Sequence, residues 1–292
     1  MRKAERVLTV IVILLLVCGV ILILYPIKEQ QQAIARDDYL YEEIALSARE
    51  PTATGAIIDV VSETPLPSLL PSESCATVSP PAQEDSSEAF TALLPGTPPD
   101  STVQFSVLQE QNKDFVAWLS IPGTVVDYPV VRSDDIDYYL HHLFTGQQSK
   151  LGCLFSLTTS DYLLPGKNIA IYGHHLSNSD AMFSTLISYK DESYYREHPL
   201  IRVDSIYGNR QYAIFAVLNQ KVTDWDASTA SFSSDEAFRQ YVQRAQRLSM
   251  YETGVAVEAD DHILTLITCD RSYGGLRGRL VIMAVEIKQE ET

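Results

Sequence analysis

The sequence predicts a mainly β domain, a closed barrel or sandwich of short strands with a few helices, carried behind a membrane-spanning helix and a disordered linker. Three observations predict it. An uncharged apolar run occupies residues 7–25. Residues 51–100 hold nine of the fourteen prolines and neither lysine nor arginine. From about residue 103, short apolar stretches separated by turn residues replace any long helical periodicity.

The apolar run reads VLTVIVILLLVCGVILILY. At 1.5 Å per helical residue it reaches roughly 28 Å, close to the hydrocarbon thickness of a bilayer. Arg2, Lys3 and Arg6 precede it, so the positive-inside rule puts the N-terminus in the cytoplasm and everything after Tyr25 outside. A cleaved signal peptide is the rival. It fits less well, because bulky Ile23, Leu24 and Tyr25 stand where a cleavage site needs small residues. The expectation is a single-pass signal anchor over residues 1–28.

Residues 29–50 continue as a juxtamembrane helix, with Ile34, Tyr41, Ile44, Ala45 and Ala48 at roughly helical spacing. Residues 51–102 then form a Pro/Ser/Thr-rich linker, whose Pro80-Pro81 and Pro98-Pro99 pairs forbid regular structure. As a flexible coil it would span roughly 40 Å, either a tether or a tolerated spacer. Removing everything up to about Asp100 is expected to leave a folded domain over residues 103–292.

Within that domain residues 103–118 read as a helix, with Leu108, Phe115 and Leu119 as apolar contacts. Strands are expected over 125–131, 151–156, 168–172, 200–203, 212–218, 262–268 and 280–287. Ser233 and Glu236 form a capping box for one further helix, whose apolar face is Ala237, Phe238, Tyr241, Val242, Ala245 and Leu248.

The formal net charge of -16 and pI of about 4.7 make nucleic acid a poor partner. Four cysteines, Cys18, Cys75, Cys153 and Cys269, show no zinc spacing, and a lone reactive thiol fits them better than a Cys153–Cys269 bridge. Cys269 ends the strand-like segment 262–268 beside a polar turn. His174 follows Tyr172-Gly173 at the end of another strand. Arg279 opens an alternating apolar strand ten residues after the cysteine. A permanent cation and an imidazole near one thiol favour thiolate, the reactive form. Strand alternation turns the neighbouring His175 away from the thiol.

Leu264-Thr265-Leu266-Ile267-Thr268-Cys269 followed by Arg279 resembles the TLxTC-to-Arg signature of sortases, and Ile171-Tyr172-Gly173-His174 resembles the segment carrying their catalytic histidine. Residues 118–124, 127–130 and 138–140, with the helix after Ser233, resemble class B. Ile267 is the class A choice where class B members carry serine. Arg271 stands where some relatives place an acid, so no aspartate is assigned to orient His174.

The resemblance, from Asn112 to Lys288, implies a closed sortase-type barrel and a Gram-positive cell-surface cysteine transpeptidase. Cys269 would attack a threonine carbonyl in a C-terminal sorting signal of a surface protein. Arg279 would stabilise the oxyanion, and His174 would serve the leaving and incoming amines. A peptidoglycan precursor amine would resolve the acyl-enzyme, with no metal or cofactor implied. A class B-like pilin polymerase using a pilin lysine and a non-catalytic surface-binding domain are the alternatives.

Overall fold

A computed structural model of the chain describes residues 2–49, 103–157, 166–206 and 208–288. The linker expected over 51–102, and Cys75 within it, lie outside these residues, as does residue 1.

Eight strands among the described residues close into a barrel: β1 (Phe115–Ser120), β2 (Asp127–Arg132), β3 (Leu154–Ser156), β4 (Asn168–Tyr172), β5 (Leu200–Ser205), β6 (Gly208–Lys221), β7 (Ile263–Cys269) and β8 (Gly278–Glu286). Around the wall they run β1-β2-β3-β4-β7-β8-β6-β5, with β1 and β5 paired to complete the ring. The β2–β3 and β4–β7 pairs are parallel and the rest antiparallel. Closure removes the sheet edges that would otherwise need covering.

Strand β8 shows how the sequence pattern fills the wall. Leu280, Ile282 and Ala284 join the core that includes β1–β3, while Val281, Met283 and Val285 join a second core under a helix. Both sets of a period-2 pattern are apolar because both faces of this strand are covered.

Four α-helices among the described residues accompany the barrel: α1 (Arg2–Arg49), α2 (Phe105–Gln111), α3 (Glu192–Glu197) and α4 (Asp235–Leu248). Phe238, Tyr241, Val242 and Ala245 of α4 are buried in the second core; Leu248, expected on the same face, is exposed. The cap is Ser234 rather than Ser233, its hydroxyl accepting from Ala237 N. Glu236 spends its carboxylate on Arg239 and Gln240 instead of closing a capping box.

The helix expected over 103–118 stops at Gln111, and Phe115–Ser120 is strand β1. Asn112 ends the helix in an extended conformation. Its Oδ1 accepts from Asp114 N and its amide donates to the Phe144 carbonyl. The aromatic and β-branched residues that follow then pair with both β2 and β5.

The apolar run 7–25 lies within α1, and Leu15, Leu16, Leu22 and Tyr25 are exposed. Among the described residues no helix is long and apolar enough to cross a membrane. The side chains of residues 7–12, 14, 17 and 21 lie outside the described ones.

The other end of α1 is part of the domain. Tyr41, Ile44 and Ala48 are buried in the barrel-side core. Arg49 makes a two-pronged ion pair with Asp127 at 2.8 and 2.6 Å, and Asp127 also accepts from the Trp118 indole. Gln104 N donates to Ala48 O at 2.8 Å. The chain on either side of the linker therefore meets at one point of the domain, not across the span of a free coil.

Candidate functional site

Parallel pairing of β4 with β7 sets Tyr172 beside Ile267 and carries the two strands to a common end. There Gly173 N donates to Ile267 O at 3.2 Å and Thr268 Oγ1 donates to Gly173 O at 2.8 Å. These bonds fix the backbone immediately before His174 and Cys269. On the other flank, antiparallel pairing with β8 sets Arg279 directly opposite Cys269. The turn between them closes tightly on Gly278, where a Cβ would fall inside the carbonyl oxygens of Tyr273 and Asp270. Only glycine fits, and Asp270 N donates to Gly278 O across that turn.

Cys269, His174 and Arg279 line one cleft of about 320 Å³. Its walls include Leu140, Phe155, Tyr172 and Ile267, with Gln220 and Trp225 on the side of the β6–α4 connection. An apolar cleft with a few convergent polar groups is the usual form of a peptide or ligand site.

His174 is half-buried, and burial lowers its pKa, an effect the hydrogen bond to Leu140 opposes and the nearby His141 and Arg271 reinforce. Its Nε2 lies 2.7 Å from the Leu140 carbonyl, which can only accept, so this nitrogen carries the proton and Nδ1 is the one left with a lone pair. The Arg279 guanidinium donates to Leu276 O and Gly278 O, leaving its charge without a carboxylate partner among the described residues. Arg271 and Arg277 are exposed and do not line the cleft.

Cys18, Cys153 and Cys269 are all free. Burial pushes the Cys153 thiol up to about 12, so it is an inert packing group. His175 does not line the cleft, yet it is not remote from the cysteine: its Nδ1 sits 2.8 Å from the Cys269 carbonyl.

Asp270 is 1% exposed and bonds to Ser272 N and Oγ, while Lys190 forms an ion pair with its carboxylate. Burial works against its charge, but Lys190 and Ser272 outweigh burial and hold the carboxyl below the usual carboxylate range. The sequence shows Asp270 only as a neighbour of Cys269, with no role to assign, and it does not signal the Leu140 carbonyl. Each depends on a contact from a distant segment that no local spacing signals. Among the described residues no group of His, Cys, Asp and Glu could hold a metal ion.

The family model for the sortase domain matches residues 119–287, more than half of the chain and all three cleft residues. The chain belongs to the sortase family, in its class B. It is 37% identical over 177 residues to Sortase B of Listeria monocytogenes, covering 60% of this chain and 70% of that protein. To Sortase B of Staphylococcus aureus it is 31% identical over 185 residues, covering 63% and 75%.

Among solved structures, the Staphylococcus aureus sortase B–substrate complex superposes with a TM-score of 0.59 at 30% identity, over 63% of this sortase and 84% of that chain. Clostridium perfringens sortase B gives 0.59 at 29% identity, over 63% and 100%. Membership of the family implies a cysteine transpeptidase.

Proposed function

We propose that this sortase cleaves a C-terminal sorting signal after threonine and transfers the acylated protein to an amine of a cell-wall precursor. One observation carries the reading: Cys269, His174 and Arg279, brought from three strand ends, line a single cleft.

In the first half-reaction His174 Nδ1 takes the proton of Cys269, and Sγ attacks the threonine carbonyl. The charge that develops on the carbonyl oxygen is met by the Arg279 guanidinium, released from its loop carbonyls. Collapse breaks the peptide bond, and the proton passes from His174 to the leaving amine. A thioester on Cys269 remains. In the second half-reaction the acceptor amine attacks that thioester, gives its proton to His174, and leaves Cys269 as thiolate. Burial of His174 favours the neutral imidazole this cycle starts from.

The Staphylococcus aureus sortase B that superposes on this chain is in complex with a substrate, which supports a substrate-binding role for this cleft. The run 7–25, with Arg2, Lys3 and Arg6 before it, supports an anchor with the catalytic domain outside the membrane. Protease added to wall-stripped cells then digests the domain; full protection reverses that topology.

The acceptor is tested by incubating the protein with a sorting-peptide library, with and without amines. The reading expects threonine-ended acyl products joined to a wall-type amine. Products joined only to a pilin lysine would replace wall anchoring by pilin polymerisation, and no product would leave a non-catalytic binding domain.

A further inference from the structure

His174 is held by a loop, and that loop is held by helix α1. Residues 133–153 connect β2 to β3 and bring the Leu140 carbonyl onto His174 Nε2 at 2.7 Å. Within this loop Gly152 has φ +68, and a Cβ there would meet Tyr139 O at 2.6 Å, Leu140 O at 3.1 Å and His174 Cδ2 at 3.2 Å. The backbone at Gly152 is thus the floor under both the Leu140 carbonyl and the imidazole.

Two residues of α1, one helical turn apart, grip that floor. Tyr41 Oη donates to the Gly152 carbonyl at 2.7 Å and accepts from Phe144 N at 3.0 Å, both bonds buried. Ser149 Oγ donates to Asp37 Oδ2 at 2.5 Å and accepts from Leu151 N at 3.0 Å. The Tyr41 hydroxyl therefore satisfies two buried backbone groups of the loop that no strand or helix ladder supplies. Ile44 and Ala48 continue the same face into the core, so the grip belongs to a docked helix.

We propose that Tyr41 is a positioning residue of the active site: through Gly152 and Phe144 it holds the loop whose Leu140 carbonyl fixes the tautomer and aim of His174. Helix α1 is then a working part of the catalytic apparatus. This rests on His174 being the proton carrier, but the geometry it predicts can be read without turnover.

The experiment uses the full chain in detergent micelles with ¹⁵N-labelled histidine, the His174 signals being identified by their loss in His174→Asn. Wild type shows the Nε2–H tautomer at His174. Tyr41→Phe, which keeps the buried ring, is expected to show mixed tautomers and single-turnover acylation slowed roughly tenfold to a hundredfold, the scale of a small misplacement, with peptide binding little changed. Ile44→Val, at a side chain that can make no hydrogen bond to the loop, is expected to lower the melting temperature and keep the wild-type spectrum and rate.

If Tyr41→Phe does not fold, Ser149→Ala reads the same loop and is expected to move the same signals. A wild-type His174 spectrum and rate in folded Tyr41→Phe, or equal losses in Ile44→Val, overturns the proposal. Absence of acylation in wild type would instead overturn the transpeptidase reading, and the tautomer comparison would still decide this one.

Discussion

Cys269 and Arg279 are directly opposed partners in the β7–β8 ladder, joined by a turn that closes on Gly278. The ten-residue spacing of thiol and guanidinium is therefore a property of one hairpin, and the strand holds the arginine more firmly than its long side chain would suggest. A donor meant for a transition state needs that rigid backing.

Substitution of Arg279 by lysine should keep the fold and slow single-turnover acylation roughly 10²–10³-fold, the usual cost of one oxyanion donor. An ammonium does not reproduce the planar fork. Exposed Arg271 and Arg277 should tolerate lysine with little loss. Near wild-type acylation by folded Arg279→Lys removes that residue from the site.

The two adjacent histidines should separate by role. His174→Ala removes the proton carrier and should cost orders of magnitude in acylation. His175→Ala removes a bond to the Cys269 carbonyl and should cost about tenfold, by loosening the nucleophile's backbone. The pair is compared by single-turnover rates, and the reverse ranking would reassign the base.

Asp270 should matter to stability. Asp270→Asn breaks its pair with Lys190 and should destabilise the domain by about 2 kcal/mol at neutral pH, less than for a fully enclosed pair because Lys190 still reaches water. The sign follows from the lowered carboxyl. Its contribution is fully present above the unfolded carboxylate value of about 3.9 and is lost as pH falls through the folded value. Urea midpoints of wild type and Asp270→Asn should differ steadily above pH of about 5 and converge in acid. A gap that grows in acid contradicts the assignment.

The hydrogen bond between Gln104 and Ala48 predicts opposite outcomes for two deletions. Replacing residues 51–100 by a short Gly/Ser bridge should leave stability unchanged or raise it by up to about 2 kcal/mol, since a shorter loop costs less to close. Removing residues 1–100 strips Tyr41, Ile44 and Ala48 from the core and should cost about 4 kcal/mol or more, or yield aggregates. Melting temperatures of the two proteins decide it, and equal stability would show that α1 only rests on the barrel.

Much of the barrel was legible because its strands carry their own punctuation. The segment 168–172 coincides with β4, and the runs 262–268 and 280–287 lie within two residues of β7 and β8, since β-branched runs end there at glycine or a polar turn. Strand β1 was not legible: Leu108, Phe115 and Leu119 fit a helical spacing, and the break depends on an Asn112 side chain that finds Phe144 from afar. The cleft residues could be proposed from strand ends, but not their supports. The contacts of Leu140 with His174, Lys190 with Asp270 and Tyr41 with Gly152 join segments 34, 80 and 111 residues apart. Periodicity showed that Tyr41 faced something apolar; it could not show that its hydroxyl reached the loop beneath the imidazole.

Whether Cys269 is the one nucleophile is read from the intact mass of the protein after reaction with a sorting peptide. Wild type and Cys153→Ala should both gain the mass of a threonine-ended acyl group, removable by hydroxylamine, and Cys269→Ala should gain none. A hydroxylamine-labile adduct persisting in Cys269→Ala would place the nucleophile elsewhere.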